Sequence, residues 1–179
     1  MINHENIKNL DNGCKNEVYK LLYMTSRDAI MILAPPDWKF ISGNPAAIKL
    51  FRTTSEEEFI SHGPEDLSPE IQPNNKLSTT ESIKMIEETL EKGSAFFEWN
   101  HKKINGNIFP STVLLTKLEI KGKIFIQATV RDVSVQKDLE NKTKQQIIEL
   151  EKINNLLVDR ELKMIELKEA LDKCQDSKK

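Results

Sequence analysis

Residues able to do chemistry are few and scattered in this 179-residue chain. The histidines are His4, His62 and His101, and the two cysteines, Cys14 and Cys174, stand near opposite ends. There is no C-x-x-C pair and no His close in sequence to either Cys, so a disulfide framework and a cysteine-rich zinc site lack their parts. A Gly-rich nucleotide loop is missing as well, and with it the equipment of a kinase. What remains is a row of side chains. Strand alternation sets Phe97, Trp99 and His101 on one face, with Phe96, Glu98 and Asn100 on the other. For His101 an ordinary hydrogen-bonded histidine is the simpler account and a ligand contact the alternative.

Composition narrows the partners. The chain carries 26 Lys plus Arg against 28 Asp plus Glu, a net charge of -2. With no excess of positive charge to neutralise a phosphate backbone, no nucleic-acid partner is expected. The longest apolar run, Ala29 to Ala34, is far short of the ~20 residues of a membrane-spanning helix, so no membrane is expected either. The first residues, with Asn3, His4, Glu5 and Asn6, lack the basic patch and apolar stretch of a secretory signal. A cytoplasmic location follows as the expectation.

The row must be carried by a strand, and the pattern supplies four more. Ala29 to Leu33 and Trp38 to Ser42 read as strands on either side of Pro35, Pro36 and Asp37. After Gly93 the period becomes two: Ala95 to Lys103, Ile108 to Leu118 and Lys123 to Val133 read as strands, turned at Asn105-Gly106 and Lys121-Gly122. Between the two groups lie helices. Asn44 before Pro45 is a strong start signal, because Asn accepts an amide hydrogen bond and Pro lacks the amide hydrogen that would go unpaired. Ser55 with Glu58 and Ser78 with Glu81 fit the capping-box spacing. The second of these helices puts Ile83, Ile86 and Leu90 on one face and stops at Gly93. Gly63 to Asn75 reads as irregular, and Glu17 to Met24 as a short helix with Val18, Leu21 and Leu22 on one side. The fold class is α+β, one five-stranded antiparallel sheet with helices on one face and a cleft between them.

Composition changes near Val135. All 6 Gly, all 7 Pro and every aromatic precede it, and a charged, helix-forming tail follows. Alternate steps of three and four bring Leu150, Ile153, Leu157, Met164, Leu167 and Leu171 onto one seam, interrupted by Arg160 and continuing to Cys174. Val158, Leu162 and Ile165 make a second apolar stripe. The expected organisation is a polar segment over 1–16, a folded domain over 17–134, a coiled-coil helix over 135–174 and a polar end over 175–179. A lone helix this long needs a partner, and a parallel homodimer is the first choice.

Four stretches, in this order and spacing, resemble a PAS domain over roughly residues 17–134: NPAAIKLF at 44–51, DLSPEIQPN at 66–74, FFEWNHKKINGNIFP at 96–110 and IQATVRDVSVQK at 126–137. The tail, INNLLVDRELKMIELKEAL at 153–171, is similar to the linker helices that follow many PAS sensors. One departure stands out. The family pattern has Gly after the Leu-Phe of its first helix, and here Arg52 stands there, so a slightly shifted turn is expected rather than positive φ at Arg52.

The resemblance implies that Phe97, Trp99 and His101 face the cleft, joined by Ser111, Val113 and Leu115 from the next strand. From the last strand it adds Ile124, Ile126, Ala128 and Val130. Such a row also describes a filled core. The family's Asp-x-Ser motif falls on Asp132 and Ser134, which implies a signal hinge where sheet gives way to helix, the plain alternative being a helix cap. The cysteine run of the light-sensing flavin relatives is absent, so covalent flavin chemistry is not expected, and haem is not expected although His62 would be its candidate ligand. The cofactor is otherwise unknown. The implied function is a sensor module without its own kinase domain, either self-standing or part of a larger sensor. It would take a small ligand or mediate dimerisation and act on a coiled coil, as in two-component or cyclic-nucleotide signalling, with a kinase or other signalling partner. The alternative is a PAS adaptor for homo- or heterodimerisation that senses nothing. An enzyme is not expected, because no paired carboxylates or nucleophile with base can be assembled from the cleft-facing set.

Overall fold

The computed structural model describes residues 11–176, with side chains of the last helix described as far as 164 and again at 167. Residues 1–10 and 177–179, within the polar end segments expected above, and the side chains of Ile165, Leu171 and Cys174 lie outside the described residues.

Two turns join the last three strands. The strands β3 (Ser94–Lys102), β4 (Ile108–Ile120) and β5 (Lys123–Asp132) form an antiparallel meander, and β1 (Ala29–Ala34) with β2 (Lys39–Gly43) adds on beside β5. The order is β2-β1-β5-β4-β3, so β5 is central, paired to β1 from Ala29 opposite Val130 to Leu33 opposite Ile126. The two turns differ from one another. Lys121 and Gly122 both have positive φ, 51° and 73°, the mirror-image two-residue turn that suits strand twist. At the Asn-Gly pair only Gly106 is left-handed, at φ 85°, and the loop is longer, closed by the Lys103 N–H on Asn107 O. The second strand begins one residue later than expected because Trp38 takes φ 51°, outside the extended region.

Five helices complete the described chain: α1 (Asn12–Thr25), α2 (Pro45–Phe51), α3 (Glu56–Ser61), α4 (Ser78–Lys92) and α5 (Ser134–Asp176). The first starts well before Glu17 because Asp11 caps it, its carboxylate accepting from Cys14 N. Asn44 does more than cap α2. Its side-chain oxygen accepts from Ala47 N at 2.9 Å and Ile30 N at 3.0 Å, while its amide donates to Tyr23 O at 3.1 Å and Asp28 O at 3.0 Å. One fully buried side chain thus ties the end of α1, the start of β1 and the start of α2. Ser55 caps α3 by accepting from Glu58 N, and the Glu58 carboxylate turns back onto Thr54.

The helix ends bring two corrections. Arg52 does take the left-handed conformation, φ 63° and ψ 35°, and its N–H closes α2 on Ile48 O, so the turn has not shifted. The geometry of the cap prevails over the side-chain penalty at this position. Ser78 does not cap α4. Its hydroxyl donates to Pro69 O and accepts from Gln72 Nε2, and the cap position belongs to Leu77, which has no side-chain cap bond.

The core fills the space between the inner sheet face and α2, α3 and α4. Phe51 and Phe59 are almost fully buried and pack, with rings tilted, against each other and against Phe109 and Phe40 at centroid distances of 4.9 to 6.0 Å. Gly43 lets this cluster close, since a Cβ there would fall 2.7 Å from the Phe59 ring. The chain divides into two units, one ending at Ser134 and the other beginning at Val135. The 43 residues of α5 span ~65 Å at 1.5 Å each. No helix among the described residues is long and apolar enough to cross a membrane.

Candidate functional site

All five strands turn alternate side chains inward, and where those facing α4 and the 64–68 segment do not meet, a cavity of about 70 Å³ remains. Its sheet wall is Met31 and Leu33 from β1, Phe40 from β2, Phe97, Trp99 and His101 from β3, Val113 and Leu115 from β4, and Ala128 and Val130 from β5. The opposite wall is Pro64, Leu67 and Ser68 with Ser82, Met85 and Ile86 of α4. The lining is apolar but for a few groups.

Seven of the sequence-derived residues therefore stand on the cavity: Phe97, Trp99, His101, Val113, Leu115, Ala128 and Val130. Two do not line it. Ile126 is sealed in the core opposite Leu33, and Ser111 is buried with its hydroxyl engaged by its neighbours. Ile124 is half-buried and also off the cavity. The residues missed fall into two kinds. Met31, Leu33 and Phe40 sit on strands whose alternation was legible, and Ser82 and Met85 precede Ile86 by four residues and one. Pro64, Leu67 and Ser68 come from an irregular segment with no period to read.

Hydrogen bonds hold that irregular segment to the sheet. Trp99 Nε1 donates to Ser68 Oγ at 3.1 Å, and Ser68 Oγ donates to Pro64 O at 2.9 Å. Gln72 pairs with the free edge of β3 as another strand would: its Oε1 accepts from Asn100 N at 2.8 Å and its Nε2 donates to Asn100 O at 3.1 Å. Lys102 N adds a bond to Leu67 O. These contacts blunt an edge that would otherwise present unpaired backbone groups.

His101 is the titratable group of the wall. Its Nδ1 lies 2.7 Å from Ser111 Oγ, its ring meets Phe51 edge-on at 5.4 Å, and Phe109 stacks at 5.8 Å. Burial among these groups pushes its pKa down to about 3, so the imidazole is neutral at physiological pH. His62 is elsewhere, with Nδ1 3.9 Å from the Asp66 carboxylate and no place on the cavity wall. Among the described residues no group of three His, Cys, Asp or Glu is placed to hold a metal ion.

At the far end of β5, two residues beyond the wall residue Val130, Asp132 Oδ1 accepts from Ser134 N at 2.9 Å and from Ser134 Oγ at 2.6 Å. The carboxylate thereby satisfies the first amide of α5. Val133 N donates to Pro110 O at 3.0 Å, and Lys103 Nζ stands 3.9 Å from Asp132 Oδ2. Arg131 makes a two-pronged bridge to Asp28 at 2.9 and 2.6 Å, which holds the Asp28 carboxyl below its usual range. The Ala29–Val130 end of the β1–β5 pair is thus tied down where the sheet gives way to helix.

No protein-family model matches the chain, and no curated protein matches it in sequence. Solved structures do match in fold. A PAS domain from a two-component sensor histidine kinase is 20% identical, covers 68% of this chain and 99% of its own, and superposes with a TM-score of 0.55. The PAS domain of a protein from Colwellia psychrerythraea is 15% identical over 67% of this chain and 98% of its own, with a TM-score of 0.57. A third, the PAS domain of a LuxR-family transcriptional regulator from Burkholderia thailandensis in complex with ethanol, is 19% identical over 65% and 97%, with a TM-score of 0.50. The fold expected from the four sequence stretches is the fold observed: a PAS fold, followed by a long C-terminal helix.

Proposed function

We propose that the chain is a signal-transduction sensor module, in which the cavity takes a small ligand and β5 passes the change to a homodimeric coiled coil through Asp132 and Ser134. The observation that carries this reading is the position of β5. The same strand supplies Ala128 and Val130 to the cavity wall and, two residues later, the carboxylate that caps α5. A ligand that shifts Val130 against β1 or β4 works on a short lever to the helix start. A signalling partner, a kinase among the candidates, would read the helix. The structures matched in fold include a PAS domain of a two-component sensor histidine kinase and one of a transcriptional regulator, which supports a signalling role.

A second reading, an adaptor that only pairs with other chains, draws on the outer sheet face. There Phe96 and Leu114, cross-strand partners, are 70% and 40% exposed. Native mass spectrometry of the purified full chain separates the two. A co-purifying small molecule is the outcome expected of a sensor, and an empty protein over repeated preparations favours the adaptor. For transmission, removal of that molecule should change amide exchange in the first turn of α5. Asp132→Ala should abolish the change while leaving the domain folded. An unaltered response in the variant would remove Asp132 from the pathway.

A further inference from the structure

The polar groups of the cavity wall define what a ligand must bring. A hydroxyl carries a single proton, and Ser111 Oγ donates its own to Trp99 O at 2.7 Å. Toward His101, 2.7 Å away, Ser111 can therefore act only as an acceptor, and the imidazole must carry its proton on Nδ1. Nε2 keeps its lone pair. No hydrogen bond to Nε2 is made by the described residues, and it is not sealed away, since every fully buried side-chain nitrogen and oxygen among them has a partner.

The polar groups that line the wall beside His101 have spent their protons in the same way. Ser68 Oγ donates to Pro64 O, Ser82 Oγ donates to Thr79 O at 3.0 Å, and Trp99 Nε1 donates to Ser68. Lone pairs are on offer and no proton is. A carboxylate or phosphate would find neither a donor nor a positive charge on these walls, and a ketone or ether would bring no proton to Nε2. Size adds a second limit. About 70 Å³ is roughly half of the 150 Å³ that houses benzene in an engineered cavity.

The geometry points to a ligand that is uncharged, compact and apolar except for one O–H or N–H donor, a short-chain alcohol being the simplest, bound with that donor on His101 Nε2. This rests on the reading of the cavity as a ligand site. The burial that keeps His101 neutral keeps the acceptor available. Ser111 is a positioning residue: it touches no ligand and sets which nitrogen faces one.

Two isomers small enough for this volume test the assignment, ethanol and dimethyl ether, which share a formula and differ in the donor. Each is titrated into the full chain and followed by NMR at the Val113 and Ala128 methyls. The wild type should prefer the alcohol by roughly fivefold or more, the worth of one net hydrogen bond. In His101→Phe the ratio should fall to one or below. In Ser111→Ala, where the tautomer is released, it should move toward one because the imidazole can then offer a proton to the ether. Nitrogen-15 spectra of the unmutated protein give a reading that needs no variant: Nδ1 should be the protonated nitrogen and Nε2 the bare one. Equal affinity for the two isomers, or a protonated Nε2, overturns the donor rule and leaves the cavity as a ligand site. Binding of neither isomer overturns both.

Discussion

His101 shows how one half-buried side chain makes stability depend on pH. Its pKa is about 3 in the folded chain and near 6.5 in the unfolded one, so between these values the unfolded chain binds the extra proton. The stabilising term is complete above pH 6.5 and is lost as pH falls toward 3. From pH 7 to pH 5 this amounts to on the order of 2 kcal/mol at 1.36 kcal/mol per pK unit. Urea unfolding of the wild type should therefore weaken over that interval. His101→Phe, which keeps a ring between Phe51 and Phe109, should flatten the loss by most of that amount. Equal slopes for the two proteins would mean that the imidazole is solvated and titrates normally. The row holding this histidine was legible from alternation alone, because a strand has a period of two. Its hydrogen bond to Ser111 was not, because the partners meet across two strands.

Element by element, local rules predict well where an element's own backbone groups set the terms. Asn44-Pro45 opens a helix, Ser55 caps one, and Gly93 ends one at φ 87°, as the side-chain chemistry requires. Ser78 fails the same rule because a tertiary partner, Pro69 O, outbids the local amide, and Gln72 then uses Ser78 as an acceptor. Arg52 fails the other way, holding a left-handed cap that glycine would take without strain. Arg52→Gly should raise the unfolding free energy by about 1 kcal/mol, read as a higher denaturant midpoint at unchanged slope. A neutral or lower midpoint would show that contacts of the Arg52 stem outweigh its backbone cost.

For the whole molecule, the unanswered requirement is the apolar seam of α5. Within one chain Leu150, Ile153, Leu157, Met164 and Leu167 are all exposed, between 49% and 65% of each residue. In the homodimer we propose, a second helix of the same kind buries this seam. Leu157→Glu in the full chain should shift sedimentation toward the monomer at micromolar concentration. Ile148→Glu, on the opposite side of the heptad, should leave the dimer in place. If both variants sediment alike, the seam is not the pairing surface. The seam was readable because heptad spacing lives in one helix, while the outer sheet face with Phe96 and Leu114 came from strands brought together by folding.

The amino-acid sequence alone determined the α+β class, the strand alternation, most helix starts and the change from globular domain to helical tail. Each of these depends on neighbours a few residues apart. Tertiary structure decided what depends on distant residues. It set the order β2-β1-β5-β4-β3, closed the cavity with the aperiodic 64–68 segment, kept Ser111 and Ile126 off its wall and aimed the Ser111 proton at Trp99. Periodicity tells which face a residue occupies, but a cavity is the volume that several faces fail to fill, and only their packing defines it.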